Sequence, residues 1–204
     1  MSHCSECGKE CTFNEKVTNT NLDLVILFSG GADSILLAQL AKDLGKNPLF
    51  VLIDYEQLHR EELEYAQRYL KKNCLPYRVV MLHNLGITSG LTGSGVKGRF
   101  EGVHTMHVPS RNLMFISIAA SIAEDLGIDT IWHGADWSDY LNEFPDCKQE
   151  WFGRVNKVLQ INGPKPIKIE APLLGFSKEN VLKLLDGCVN PDEMFSGYGS
   201  LSMS

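Results

Sequence analysis

Along the chain, short apolar runs alternate with stretches whose apolar positions recur every three to four residues. The first run, residues 22–28, is bounded by Ser29-Gly30-Gly31 and followed by an amphipathic stretch over 33–44, which predicts strand, glycine turn and helix. The alternation then repeats: residues 48–53 read as a strand, 60–72 as a charged helix and 77–82 as a third strand. Residues 111–126, rich in Ile, Ala, Met and Leu, suit a helix buried on more than one face, and a short strand follows near 129–132. A loop is expected up to Pro145, then a helix over 151–160, a fifth strand over 167–170 and a last helix over 177–185. Ser177 stands at that helix's N-cap, with Asn180 at the third helical position.

Five strands alternating with helices predict an α/β fold, a doubly wound and mostly parallel sheet covered on both faces, with right-handed crossovers. In such sheets ligands bind at the carboxyl ends of the strands. Between residues 84 and 107, glycines at 86, 90, 93, 95, 98 and 102 interrupt any periodicity, and a connector of this length reads as an active-site loop.

With 204 residues and 44% hydrophobic composition, the chain is sized for one core. The expected organisation is a cysteine-bearing segment over residues 1–20 and a single α/β domain over 21–204. No apolar run reaches the ~18 residues of a membrane helix, and the first twenty residues are polar, so a soluble, cytoplasmic protein is expected. A formal charge of −6 argues against tight generic binding to nucleic acid, which draws on lysine and arginine at phosphates. Six cysteines are present, three crowded at Cys4, Cys7 and Cys11 and three scattered at Cys74, Cys147 and Cys188, a distribution that suits a metal site plus solitary thiols better than disulfides.

The most informative segment is Ser29-Gly30-Gly31-Ala32-Asp33-Ser34, where a strand hands over to a helix. Backbone N–H groups and the positive end of the helix dipole converge there into an anion site. Adjacent glycines let a phosphate approach, Ser29 and Ser34 offer hydroxyls, and Asp33 suits a magnesium ion bridging phosphates. The competing explanation is an ordinary Gly-Gly turn into a helix. The segment lacks the Gly-Lys-Ser/Thr ending of a Walker P-loop, which argues against γ-phosphate transfer.

Ser-Gly-Gly-x-Asp-Ser after an apolar strand resembles the signature of PP-loop ATP pyrophosphatases, whose members cleave ATP between the α- and β-phosphates. Four further blocks resemble one family within them, the 7-cyano-7-deazaguanine synthases known as QueC. These are Tyr55-Glu56-Gln57-Leu58-His59-Arg60, Val108-Pro109-Ser110-Arg111-Asn112, Phe144-Pro145-Asp146-Cys147, and Ala171-Pro172-Leu173-Leu174 with Ser177-Lys178 downstream. The resemblance implies ATP contacts from Ser29 to Ser34 and Gly134, catalytic roles for Asp33 and Lys178, and substrate contacts from Tyr55, Gln57, His59, Arg60, Arg111, Asn112, Asp136 and Asp146.

Each position also admits a plainer role. His59 and Arg60 suit a solvated helix start, with Arg60 paired to Glu64, and Arg111 and Asn112 suit ordinary capping. Asp136 suits a loop aspartate bonded to its own backbone. Asp146 and Cys147 either read a purine-like base or shape a proline turn. A lysine in the first turn of a helix, as at 178, is mildly disfavoured by the dipole unless an anion lies nearby, which favours a phosphate contact.

One departure from the family stands out. Its four-cysteine zinc site begins in a segment like Trp-Ser-Cys-Tyr, and the matching stretch here is Phe195-Ser196-Gly197-Tyr198. At the other end, Cys4-x2-Cys7-x3-Cys11 permits three thiolates on one zinc ion, with Cys188 or else His3 as the fourth ligand. The alternative is a set of unpaired thiols.

The resemblance implies ATP-driven conversion of 7-carboxy-7-deazaguanine and ammonia to 7-cyano-7-deazaguanine (preQ0) through an adenylate and an amide, by a homodimer using ATP, Mg2+ and Zn2+. Three rivals remain at this point: a relative that stops at 7-amido-7-deazaguanine or passes the activated base to another acceptor, a PP-loop tRNA thiolase, and a non-catalytic nucleotide-binding module.

Overall fold

The computed structural model describes residues 21–57, 60–83, 108, 110–137 and 144–186. The expected glycine loop, His59, the cysteines at 4, 7, 11 and 188, and the segments 1–20 and 187–204 lie outside the described residues.

Five parallel strands form one sheet in the order β3-β2-β1-β4-β5: β1 (Leu24–Leu27), β2 (Pro48–Asp54), β3 (Tyr77–Met81), β4 (Thr130–Trp132) and β5 (Lys168–Glu170). Between and after them run α1 (Ala32–Asp43), α2 (Arg60–Lys72), α3 (Arg111–Leu126), α4 (Gln149–Leu159) and α5 (Lys178–Leu185). Every element expected from the periodicity is present, two of the helices with the expected bounds. Where only a loop is expected to run to Pro145, a 3-10 turn over Pro145–Cys147 precedes α4.

Residue alternation along the strands sorts the core into two layers. Leu24, Ile26, Phe28, Phe50 and Leu52 pack with Ile35, Leu37, Ala66, Leu70, Val181 and Leu185 of α1, α2 and α5. Val25, Leu49, Val51, Ile53 and Ile131 face the other way, onto Ile116, Ala119 and Ala123 of α3 and Phe152, Val155 and Leu159 of α4. β2 is buried over its first six residues because strands flank it and helices cover both faces, which explains its unbroken apolar run.

Local sequence sets where the elements stop. α3 ends on Gly127 at φ 72°, where Ile128 N–H reaches the Ala123 carbonyl (2.8 Å) and Gly127 N–H the Glu124 carbonyl (3.1 Å), satisfying the last turn. α5 begins on Ser177, whose Oγ accepts from Asn180 N–H at 3.3 Å, as its N-cap position predicts. The edge strand β5 is covered by α4: the Asn156 amide accepts from Ile169 N–H (2.7 Å) and donates to Ile169 C=O (2.9 Å), replacing a neighbouring strand at that residue.

The strand order reverses between β1 and β4. β1 leads through α1 to β2 on one side, while β4, entered from α3, lies on the other. A crevice therefore opens at their carboxyl ends, where Ser29 and His133 follow.

Candidate active site

The glycine turn between β1 and α1 is stitched by its own serines. Gly30 N–H donates to Ser34 Oγ (3.0 Å), the Ser34 hydroxyl donates to Gly31 C=O (2.9 Å), and Gly31 N–H donates to Ser29 Oγ (3.3 Å). Gly31 caps α1 with no side-chain hydrogen bond. The amides of Ala32, Asp33 and Ser34 belong to the first turn and have no intrahelical carbonyl to meet, so they are available to an anion.

Gly30 is required twice over. Its φ is +86°, and a Cβ there would stand 2.9 Å from Ala66 Cβ on α2. The turn thus rests on a helix whose contact residue is itself small.

A cleft of about 410 Å3 opens beside this turn, lined by Ser29, Asp33, Ser34, Gly134 and Lys178 on one side and by Tyr55, Gln57, Arg111, Asn112, Phe115 and His133 on the other. Lys178 crosses from the start of α5 to hydrogen-bond Asp33 Oδ2, and its Nζ lies 3.7 Å from Asp136 Oδ2. Asp136 is 1% exposed, and Asp33 Oδ1 is buried with no hydrogen-bond partner among the described residues. Burial raises the Asp33 carboxyl to about 6 despite the opposing pull of the Lys178 ammonium, with the Asp136 charge adding a smaller push upward. The anion that the helix dipole demands near Lys178 is thus provided by two protein carboxylates as well as by any phosphate.

On the opposite wall, Arg111 and Asn112 open α3 behind Ser110, which holds φ 54° and makes no side-chain cap bond. A cation at the positive end of a helix is unfavourable for the helix alone. Arg111 nevertheless faces the cleft, its Nη1 donating to the Tyr55 hydroxyl (3.4 Å), and Tyr55 packs on Phe115 with ring centroids 5.3 Å apart. Gln57 is buried and accepts from Tyr55 N–H (3.1 Å), holding the chain just beyond β2. Asn112 donates to the buried Cys147 Sγ (3.8 Å), so the Phe144-to-Cys147 block docks onto the start of α3.

Of the expected site residues, the cleft brings together Ser29, Ser34, Asp33, Gly134, Lys178, Tyr55, Gln57, Arg111 and Asn112. Gly30, Gly31 and Ala32 shape the turn behind its wall, and Asp136 meets the cleft through Lys178. Arg60 is exposed at the start of α2 and Asp146 is half-buried in the 3-10 turn; neither lines the cleft.

Glu62, Phe115 and His133 also line the cleft, although no motif in the sequence marks them as site residues. His133 was the one within reach, because it directly follows a strand's carboxyl end and precedes Gly134. Its Nδ1 accepts from Ala135 N–H at 3.1 Å, and burial, with the Arg111 charge as a lesser cause, lowers its pKa to about 4.

A doubly wound parallel sheet whose first strand ends in this serine-glycine turn, with an aspartate and a lysine beside it, defines a PP-loop ATP pyrophosphatase. The family model described as "Queuosine biosynthesis protein QueC" matches residues 23–198, and the chain belongs to that family. A 7-cyano-7-deazaguanine synthase of Leptospira interrogans is 33% identical over 183 residues, covering 84% of this chain and 75% of the relative. One from Prochlorococcus marinus is 31% identical over 195 residues, 89% of this chain and 87% of the relative.

Among solved structures, the U34-tRNA thiolase NcsA from Methanococcus maripaludis superposes with a TM-score of 0.57 at 18% identity, over 89% of this chain and 61% of the thiolase. The NH3-dependent NAD synthetase from Campylobacter jejuni gives 0.53 at 15% identity, over 81% and 63%. At these identities the likeness is one of fold.

Proposed function

We propose that this chain is the ATP-dependent ligase that converts 7-carboxy-7-deazaguanine and ammonia into 7-cyano-7-deazaguanine. The observation that carries the reading is the pairing of two anion-attracting walls in one cleft. The α1 amides and Lys178 stand on one side and the Arg111 guanidinium on the other. Two anions, a nucleotide triphosphate and a carboxylate, must meet for adenylation, and such walls neutralise both without reorganising at the moment of reaction.

In this reading the triphosphate lies on the glycine turn with Lys178 at its phosphates, while Arg111, Tyr55, Gln57 and Asn112 hold the deazaguanine acid. A carboxylate oxygen attacks the α-phosphorus and the bond to the β-phosphate breaks, releasing pyrophosphate. Ammonia adds to the acyl carbon, the carbon–oxygen bond to AMP breaks, and loss of a proton leaves the amide. A second ATP is attacked by the amide oxygen with loss of pyrophosphate, after which that oxygen departs with AMP while the nitrogen gives up its two protons. One acid, one ammonia and two ATP thus become one nitrile, two AMP and two pyrophosphate.

The donor set fits magnesium: the buried, unpartnered Asp33 Oδ1 is an oxygen ligand of the kind that ion takes. When bound there, it would neutralise phosphate charge beside Lys178. Among the described residues no group of three or more metal-ligating side chains occurs. A zinc ion on Cys4, Cys7, Cys11 and Cys188 belongs to the same proposal on cysteine spacing alone, and the homodimer and the cytoplasmic location belong to it on the likeness to the family. No helix among the described residues is long and apolar enough to cross a membrane.

The test is incubation with ATP, magnesium, ammonium and 7-carboxy-7-deazaguanine, with products identified by mass spectrometry. Nitrile is expected. Amide as the sole product would replace this reading by an enzyme that stops halfway, and no substrate-dependent AMP would exclude both.

A further inference from the structure

His133 stands at the carboxyl end of β4, one residue before Gly134. The wall position of Gly134 is fixed against the phosphate turn: a Cβ there would lie 3.6 Å from Asp33 Cβ and 3.8 Å from Ser34 N. The imidazole therefore follows directly from the nucleotide side of the cleft, and it senses the positive charge of Arg111 on the acid side. Its ring packs against Phe152, with centroids 5.5 Å apart, which anchors one side while the residue still lines the cleft.

The tautomer follows from hydrogen-bond chemistry. A backbone N–H can only donate, so Nδ1, which receives the Ala135 N–H, is an acceptor carrying no proton. The single proton of the neutral ring then sits on Nε2. Among the described residues no group accepts from Nε2, and burial together with Arg111 opposes any second proton. Such a ring is a poor base, because its free lone pair is already taken, and a fixed donor at neutral pH.

Resting on the ligase reading above, we propose that His133 is a catalytic hydrogen-bond donor whose Nε2–H, in the cleft that Ser29, Asp33 and Arg111 also line, binds an oxygen on the substrate's acyl carbon. In the first step it holds the carboxylate oxygen that does not attack phosphorus. When ammonia adds, that same oxygen gains negative charge as the carbon–oxygen double bond opens, and the donor stabilises it; the double bond then re-forms as the bond to AMP breaks and AMP leaves with that bond's electron pair. No proton is transferred to or from the ring. A neutral donor serves here because a second full positive charge beside Arg111 would be costly in a partly buried site.

The experiment compares His133→Leu with His133→Gln, whose side-chain amide keeps a neutral N–H donor together with an acceptor for Ala135 N–H. Amide and AMP formation are followed at saturating ammonium, with KM for ATP measured in parallel. His133→Leu is expected to lose kcat by ~10²-fold, as when a single oxyanion donor is removed. Its KM for ATP should stay within about threefold. His133→Gln should recover to within about tenfold of the unmutated enzyme.

The pH profiles of His133→Gln and the unmutated enzyme should be parallel. Asp33, Glu62, Arg111 and Lys178 line the same cleft and are present in both proteins, so their titrations cancel. Three results overturn the proposal: a His133→Leu rate equal to the unmutated one, a kinetic pKa present in the unmutated enzyme and missing from His133→Gln, or equal losses in both variants with KM for ATP raised alike. If the unmutated chain forms no AMP with this acid, the ligase reading itself fails, and the role of His133 falls with it.

Discussion

Two half-buried groups in the cleft, Asp33 and His133, give stability opposite dependences on pH, and substituting either one exposes the other. The Asp33 carboxyl moves from 3.8 to about 6 in the fold, chiefly through burial. Between those values the unfolded chain is ionised and the folded chain holds the proton, so stability is fully present below about 4 and is lost as pH rises to about 6. His133 moves from 6.5 down to about 4, so the unfolded chain is the one that binds the extra proton, and stability is lost as pH falls through the same window. At 1.36 kcal/mol per pKa unit, each contributes ~3 kcal/mol, and in the unmutated protein the two nearly cancel.

Asp33→Asn removes one slope. Relative to the unmutated protein, its unfolding free energy should rise from no difference near pH 4 to a gain of as much as ~3 kcal/mol at pH 7.5, while AMP formation is abolished. His133→Gln should gain stability near pH 4 by ~3 kcal/mol and show none of this gain above pH 7. Urea denaturation of the metal-free protein at half-unit pH intervals reads both, and subtracting the unmutated curve cancels surface carboxylates such as Glu170 and Glu179. A flat or falling difference for Asp33→Asn between pH 4 and pH 7 would refute the claim that burial dominates at this carboxylate.

Gly30→Ala should cost at least ~2 kcal/mol in urea, because a +86° φ and a 2.9 Å approach to Ala66 act together. Adding Ala66→Gly should return only the steric share, and complete rescue would contradict the backbone argument. Lys178→Met takes the cation from Asp33 and Asp136; with Lys178 47% exposed, the expected loss at pH 7.5 is ~1–2 kcal/mol, accompanied by a ~10²-fold fall in AMP formation. Asn156→Ala leaves both backbone groups of Ile169 without their side-chain partner and should destabilise by ~2 kcal/mol with turnover unaltered, as read by denaturation and a rate assay. Metal analysis of freshly purified protein should give close to one zinc per chain, lost on combined Cys4→Ser and Cys7→Ser substitution, and protein isolated without zinc would remove the cysteine site.

The sheet and its helices were legible because their periods are strong: β2 is buried on both faces and reads as a continuous apolar run, while α2 carries Ala66 and Leu70 on one buried side of an otherwise charged helix. The glycine turn was legible for a different reason, since only a glycine at position 30 fits both the backbone angle and the neighbouring Ala66. Element ends were less visible. β1 begins at Leu24 and not at Leu22, and α4 starts at Gln149 because the Pro145 turn leads directly into it.

The site was readable where a residue belongs to a motif and obscure where its role depends on partners distant in sequence. Nothing local to residue 178 tells that its ammonium closes on Asp33 and Asp136, and nothing local to Cys147 tells that it receives the Asn112 amide. His133 escaped for the same reason. Its tautomer is set by a backbone N–H two residues away and its low pKa by burial that only the folded sheet creates.

Following the carboxyl oxygens separates double adenylation from any other route to the nitrile. With 7-carboxy-7-deazaguanine carrying 18O at both carboxyl positions, adenylation at each activation sends one labelled oxygen into each AMP. Two singly labelled AMP molecules per nitrile and unlabelled pyrophosphate are therefore expected. Label in inorganic phosphate, or unlabelled AMP formed alongside nitrile, would contradict it.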